Sequence, residues 1–150
     1  MKTSPIRSIG HTLVSRGLKV TIIAVLRLFY ASLERAVFRK LYIKRRIYNF
    51  ALYLDPLDKG ISRTLILFGQ RELDHKWIME KCLEEGDSIL DIGANIGYYV
   101  AMEAKLVGSA GKIYAFEPSQ KNFNLLIKNL ELKLYYKIPK RTILEHIVRL

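Results

Sequence analysis

Ser88-Ile89-Leu90-Asp91-Ile92-Gly93-Ala94-Asn95-Ile96-Gly97-Tyr98-Tyr99, followed by Lys112-Ile113-Tyr114-Ala115-Phe116-Glu117-Pro118, is the stretch that decides the fold. Ser88 to Ile92 is a short apolar strand that runs straight into a glycine loop. A proline-free segment from Ile96 to about Val107 sets Ile96, Val100 and Ala104 at helical spacing, and Gly108 and Gly111 close it. Lys112 to Phe116 is the next strand, ended by Glu117-Pro118. Ser119 can cap a further helix, whose Phe123, Leu126, Ile127 and Leu130 fall at i, i+3, i+4 and i+7. Strand, glycine loop, helix, strand, acid, helix is a βαβα unit. The fold expected is α/β, the N-terminal part of a doubly wound Rossmann-like domain.

Ligands of open α/β sheets lie beyond the carboxyl ends of the strands, which is where Gly93 and Gly97 fall. Without a Cβ, the backbone there can turn sharply and approach a ligand closely. Glu117 ends the adjacent strand, where a carboxylate can accept hydrogen bonds from vicinal ribose hydroxyls. An adenosine-type ligand follows. A dinucleotide loop needs Gly-x-Gly-x-x-Gly to seat its pyrophosphate, and Gly93-Ala94-Asn95-Ile96-Gly97 lacks the close pair. Asp91 would repel a pyrophosphate but can hold the ammonium of a methionine moiety. S-adenosylmethionine carries that ammonium, a sulfonium and no phosphate, so it is the expected cofactor, bound by Asp91, Gly93, Asn95, Gly97 and Glu117.

These motifs closely resemble the FkbM family of class I methyltransferases. The lead-in from Leu54-Asp55-Pro56 through Gly60-Ile61-Ser62, and Asn122-Phe123-Asn124-Leu125-Leu126 with Asn129 after it, resemble that family too. The resemblance covers about Tyr53 to Leu132. It implies that Asp91, Gly93 and Gly97 form the cofactor loop and that Glu117 grips the ribose. Asn95 belongs to the loop motif, with its side chain either on the cofactor or holding the turn. The implied activity is O-methylation of a hydroxyl on a small molecule or glycan. No catalytic base is identified, since His11, His75 and His146 are scattered along the chain, and no metal-ligand spacing is present.

Outward from this unit, residues 51–86 read as a lead-in. Ala51 to Leu54 suits a strand, Ser62 can cap a short helix to Phe68, and Asp74 can cap a helix bearing Trp77, Ile78, Cys82 and Leu83. The lone Cys82 reads as a small, partly buried apolar side chain. Residues 133–150 form a basic, apolar tail without a polar turn into a third strand. A class I methyltransferase sheet has about seven strands, so the chain is expected to be a fragment, inactive and marginally folded as it stands.

Charge is unevenly spread. Of the net +11, residues 1–50 hold +10, with 11 bases against the single acid Glu34, while residues 51–150 hold +1. Leu13 to Phe50 is free of proline and reads as one or two helices, a basic amphipathic segment. Arg27 interrupts its apolar run, which argues against a membrane span, and no small-residue cleavage site marks a signal peptide. Three uses suit residues 18–46: a packed helix with a solvated basic face, contact with an anionic membrane surface, or, last, nucleic acid. The location expected is the cytoplasm, with membrane association. A non-catalytic interaction protein working through residues 1–50 is the alternative to an enzyme, and an NAD-dependent oxidoreductase ranks below both.

Overall fold

The computed structural model describes residues 14–39, 41–132 and 147–148. It divides into two compact units, Met1–Ile43 with Asp55–Arg71, and Lys44–Leu54 with Glu72–Leu150.

In the first unit, α1 (Leu18–Phe38) packs against α2 (Ile61–Phe68). The buried positions of α1 are Thr21, Ala24 and Ala31, small side chains at helical spacing that permit close approach. Its large apolar side chains, Leu18, Ile22, Leu26, Phe29, Tyr30 and Val37, are exposed. Arg27 Nη1 donates to Leu67 O at 3.2 Å, and the Arg16 guanidinium lies 4.2 Å from the centre of the Phe68 ring. At the start of α2, Asp58 does what was expected of Ser62. Its Oδ1 accepts the Gly60 N–H at 3.0 Å and its Oδ2 the Ser62 N–H at 2.8 Å, with Ser62 already inside the helix. Among the described residues, no helix is long and apolar enough to cross a membrane.

The expected helix over residues 39–50 is corrected. Arg39 adopts φ 50° and terminates α1, and β1 (Ile43–Ile47) and β2 (Phe50–Leu54) follow, joined through Tyr48 at φ 52°. Ile43 and Ile47 are wholly buried while Lys44 and Arg46 are exposed. A spacing of four satisfies both the helical period and the strand's period of two, so the apolar pattern cannot separate them. Lys44, Arg45 and Arg46 therefore lie on a strand.

In the second unit, α3 (Leu73–Cys82) starts one residue ahead of Asp74, after Glu72 at φ 47°. None of its residues is buried, and Cys82 is exposed, contrary to its expected partial burial. The βαβα unit follows as expected: β3 (Ser88–Ile92), α4 (Tyr98–Val107), β4 (Lys112–Phe116) and α5 (Gln120–Leu130). β3 and β4 are parallel, with Ile89 opposite Ile113 and Asp91 opposite Ala115. Ile113 and Ala115 meet Val100, Ala104 and Val107 of α4 and Leu126 and Leu130 of α5 in one core. Each large side chain so buried contributes about 1.5–3 kcal/mol. The tail also needs correction. β5 (Ile147–Val148) pairs parallel with β4 through Ala115 and Phe116, giving the strand order β3-β4-β5. Two β-branched residues suffice for that short pairing, and residues 133–146 lie outside the described residues.

Candidate functional site

The loop between β3 and α4 is built from backbone bonds to the end of β4. The N–H groups of Gly93 and Ala94 both donate to Phe116 O, at 2.8 and 3.0 Å. Left-handed backbone recurs at Gly93 (φ 88°), Asn95 (φ 51°) and Gly97 (φ 83°), which folds the loop back on itself. The two glycines serve different ends. A Cβ on Gly93 would meet nothing within 4 Å, whereas one on Gly97 would lie 2.6 Å from Leu126 Cδ1. Gly97 thus admits the α5 leucine, and Gly93 leaves open space at the strand end.

Asn95, open between two roles in the sequence, holds the turn: its Oδ1 accepts the Ile96 N–H at 3.0 Å. Glu117 is 4% exposed and clamps the loop. Its Oε2 accepts the Asn95 N–H at 2.8 Å, and its Oε1 accepts the Ser119 N–H at 2.8 Å and Asn122 Nδ2 at 3.4 Å. A carboxylate has about four acceptor sites, so roughly one remains.

Asp91 and Glu117 come together electrostatically. Burial, and then the Glu117 charge, raise the Asp91 pKa to about 6. Its Oδ2 is buried without a hydrogen-bond partner. Glu103 on α4, which sequence reasoning missed, extends the cluster. Burial, and then Asp91, raise its pKa to about 8, and its Oε2 is likewise orphaned. The signal was present, because an acid three residues after Val100 falls on the buried stripe of α4. Among the described residues, no cluster of His, Cys, Asp and Glu is suited to a metal ion.

Two further residues stand out. Asn129, wholly buried, accepts the Tyr53 N–H through Oδ1 at 2.6 Å. Its Nδ2 donates to Ile96 O at 2.8 Å and to Tyr53 O at 3.2 Å, tying β2 to the loop. His75, expected to stand alone, has its Nδ1 3.0 Å from the Tyr99 hydroxyl and 3.5 Å from Glu72 Oε2, and that hydroxyl donates to Glu72. His11 and His146 lie outside the described residues.

Buried acids with orphaned acceptors repel a pyrophosphate and attract a cation. Those acceptors fit the ammonium and sulfonium of S-adenosylmethionine, and the parallel βαβα unit with its glycine loop is that of the class I methyltransferase fold. No family model matches the chain. It is 29% identical over 84 residues to a protein-L-isoaspartate O-methyltransferase of Methanococcus maripaludis, covering 53% of this chain and 36% of that one. Over 88 residues it is 31% identical to protein-L-isoaspartate O-methyltransferase 2 of Archaeoglobus fulgidus, covering 55% and 36%. Over 96 residues it is 33% identical to the Fervidobacterium nodosum protein-L-isoaspartate O-methyltransferase, covering 59% and 46%. The chain thus spans less than half the length of these relatives. A transferase-like protein of Pyrococcus horikoshii shares the fold, with a TM-score of 0.54 at 11% identity over 97% of this chain and 63% of its own. A SAM dependent methyltransferase of Aquifex aeolicus matches 51% of this chain and 36% of its own at 27% identity, with a TM-score of 0.37. Fold and relatives are those of class I methyltransferases, whose cofactor is S-adenosylmethionine.

Proposed function

We propose that the chain binds S-adenosylmethionine and belongs to an enzyme that methylates an oxygen of its acceptor. The observation that carries this reading is the orphaned, buried Asp91 Oδ2 beside the glycine loop. A buried acceptor without a donor is unfavourable, and the ammonium of the methionine moiety is such a donor. Asp91 would hold that ammonium, Gly93 would leave room for it, and Gly97 and Asn95 would keep the loop in shape. Glu117 would offer its remaining acceptor site to a ribose hydroxyl. When bound, the cofactor supplies an electrophilic methyl group on a sulfonium. The residues of this chain bind and orient it.

For the acceptor, we favour a hydroxyl on a small molecule or glycan, because the FkbM resemblance spans both cofactor motifs and the lead-in. The relatives named for isoaspartate support the broader class of oxygen acceptors. Two measurements test the reading. Calorimetry should detect S-adenosylmethionine binding that weakens in Asp91→Asn. Assays of the whole enzyme to which the chain belongs, with isoaspartyl peptide beside hydroxylated small molecules and glycans, should give methyl ethers. Methylation of the peptide alone would overturn the hydroxyl assignment, and no binding at all would overturn the function.

A second use is favoured by α1. Its exposed Leu18, Ile22, Leu26, Phe29, Tyr30 and Val37, with Lys19 and Arg27 among them, suit contact with an anionic membrane surface. Co-sedimentation with phosphatidylserine vesicles should fall with salt and with Phe29→Glu. Binding indifferent to both would remove this use.

A further inference from the structure

Glu103 of α4 is only 7% exposed. A carboxyl that deeply buried normally has a partner, and its Oε2 has none. Asp91, the charged group that acts on it, has an orphaned oxygen of its own. Other titratable groups on the elements packed against α4 are turned elsewhere. On β4, Lys112 is exposed and Tyr114 is half-buried with interactions of its own. On α3, Lys76 pairs with Glu80, His75 bonds Tyr99, and Asp74 and Lys81 are exposed, as is Lys105 on α4 itself. No described basic group satisfies either orphan oxygen. Two buried carboxyl oxygens without hydrogen-bond partners, on acids that act on each other electrostatically, suit a cationic ligand group.

We propose that Glu103 is a second carboxyl of the cofactor site, together with Asp91, and that arrival of the cofactor's ammonium drives a proton off it. The inference rests on the S-adenosylmethionine reading above. Without a bound cation, the repulsion between two like charges is avoided by keeping Glu103 as the acid. A cation beside Asp91 removes that repulsion and favours the second charge. The O–H bond of Glu103 then breaks, its electron pair stays on the carboxylate, and the proton leaves to solvent. Nothing is oxidised. Glu103 so becomes a positioning residue that strengthens the hold of Asp91 on the cation without touching the methyl group. Its pKa, raised to about 8, places this proton loss near pH 8.

Calorimetry at pH 7.5 in phosphate and in Tris, whose ionisation enthalpies differ, counts the protons released per S-adenosylmethionine bound. The wild-type chain should release a large fraction of one proton, and Glu103→Gln, which is neutral and of the same shape, should bind without that release. The ratio of wild-type to Glu103→Gln affinity should also rise between pH 7 and 9, by up to about tenfold. Far-ultraviolet circular dichroism checks that both proteins are folded. Equal proton release and equal pH profiles in the two proteins would overturn the role of Glu103 and leave the cofactor reading standing. Failure of the folded wild type to bind S-adenosylmethionine at any pH would overturn both.

Discussion

At the residue scale, Asp91 and Glu117 were both legible in the sequence as acids at strand ends, but their surroundings divide the labour differently. Glu117 accepts three donors of the chain itself, two of them backbone N–H groups. Removing it would therefore loosen the loop as well as any ribose contact, so Glu117→Ala alone cannot separate structure from binding. Asp91 has an idle oxygen, and its substitution is the cleaner probe. Asp91→Asn should weaken S-adenosylmethionine binding by about 1.5–3 kcal/mol, the worth of a charge-assisted hydrogen bond, or roughly ten- to a hundredfold. The same change removes a desolvated charge, so the variant should melt no lower than the wild type at pH 7. Wild-type affinity should also fall below about pH 6, where Asp91 takes up a proton and ceases to attract an ammonium. Titration calorimetry from pH 5 to 8 checks both effects. A variant that binds as tightly as the wild type would discard Asp91 as the cation's partner.

At the scale of elements, β2, the loop between β3 and α4, and α5 meet at one side chain. Asn129 satisfies both backbone groups of Tyr53 and the carbonyl of Ile96, and it is wholly buried. Asn129→Ala would leave a buried N–H and two buried carbonyls short of partners, at about 1–3 kcal/mol for each group that water cannot reach. Urea unfolding should show a loss of at least about 2 kcal/mol, larger than for a typical surface substitution. An unchanged midpoint would mean that water replaces the amide.

The βαβα unit was legible because its signals agree: strand, glycine, helical spacing and strand recur within 43 residues, from Ser88 to Leu130. Residues 39–50 were not. Ile43 and Ile47 fit a helix and a strand equally, and what ends the helix is a left-handed Arg39, a conformation that no residue type advertises. The cap of α2 was misplaced for a related reason. Asp58 and Ser62 are both good capping residues, and only the path of the chain chooses Asp58. Glu103 was missed because an acid in a helix normally signals the solvent face. Its position on the buried stripe was readable, but its orphaned oxygen was not.

For the whole molecule, Asp91 and Glu103 tie folding stability to pH. Both have folded-state pKa values above their ordinary ones, about 6 against 3.8 and about 8 against 4.5. The folded state therefore holds protons that the unfolded chain gives up. Their stabilising contribution is complete below the ordinary values and is lost as pH rises through the folded ones. The loss from Asp91 comes between about pH 4 and 6, and that from Glu103 between about pH 4.5 and 8. Thermal melts should consequently fall from pH 5 to pH 9, opposite in sign to a protein held by paired carboxylates, which weakens in acid. Glu103→Gln keeps the neutral side chain at every pH and should flatten the decline above pH 6. A cationic ligand should do the same from the other side, since it stabilises the charged pair that the protein alone avoids. S-adenosylmethionine should therefore raise the melting temperature more at pH 8.5 than at pH 6, and more in the wild type than in Glu103→Gln. A wild-type melting temperature that rises steadily from pH 5 to 9 would show that neither acid carries its proton into the folded state.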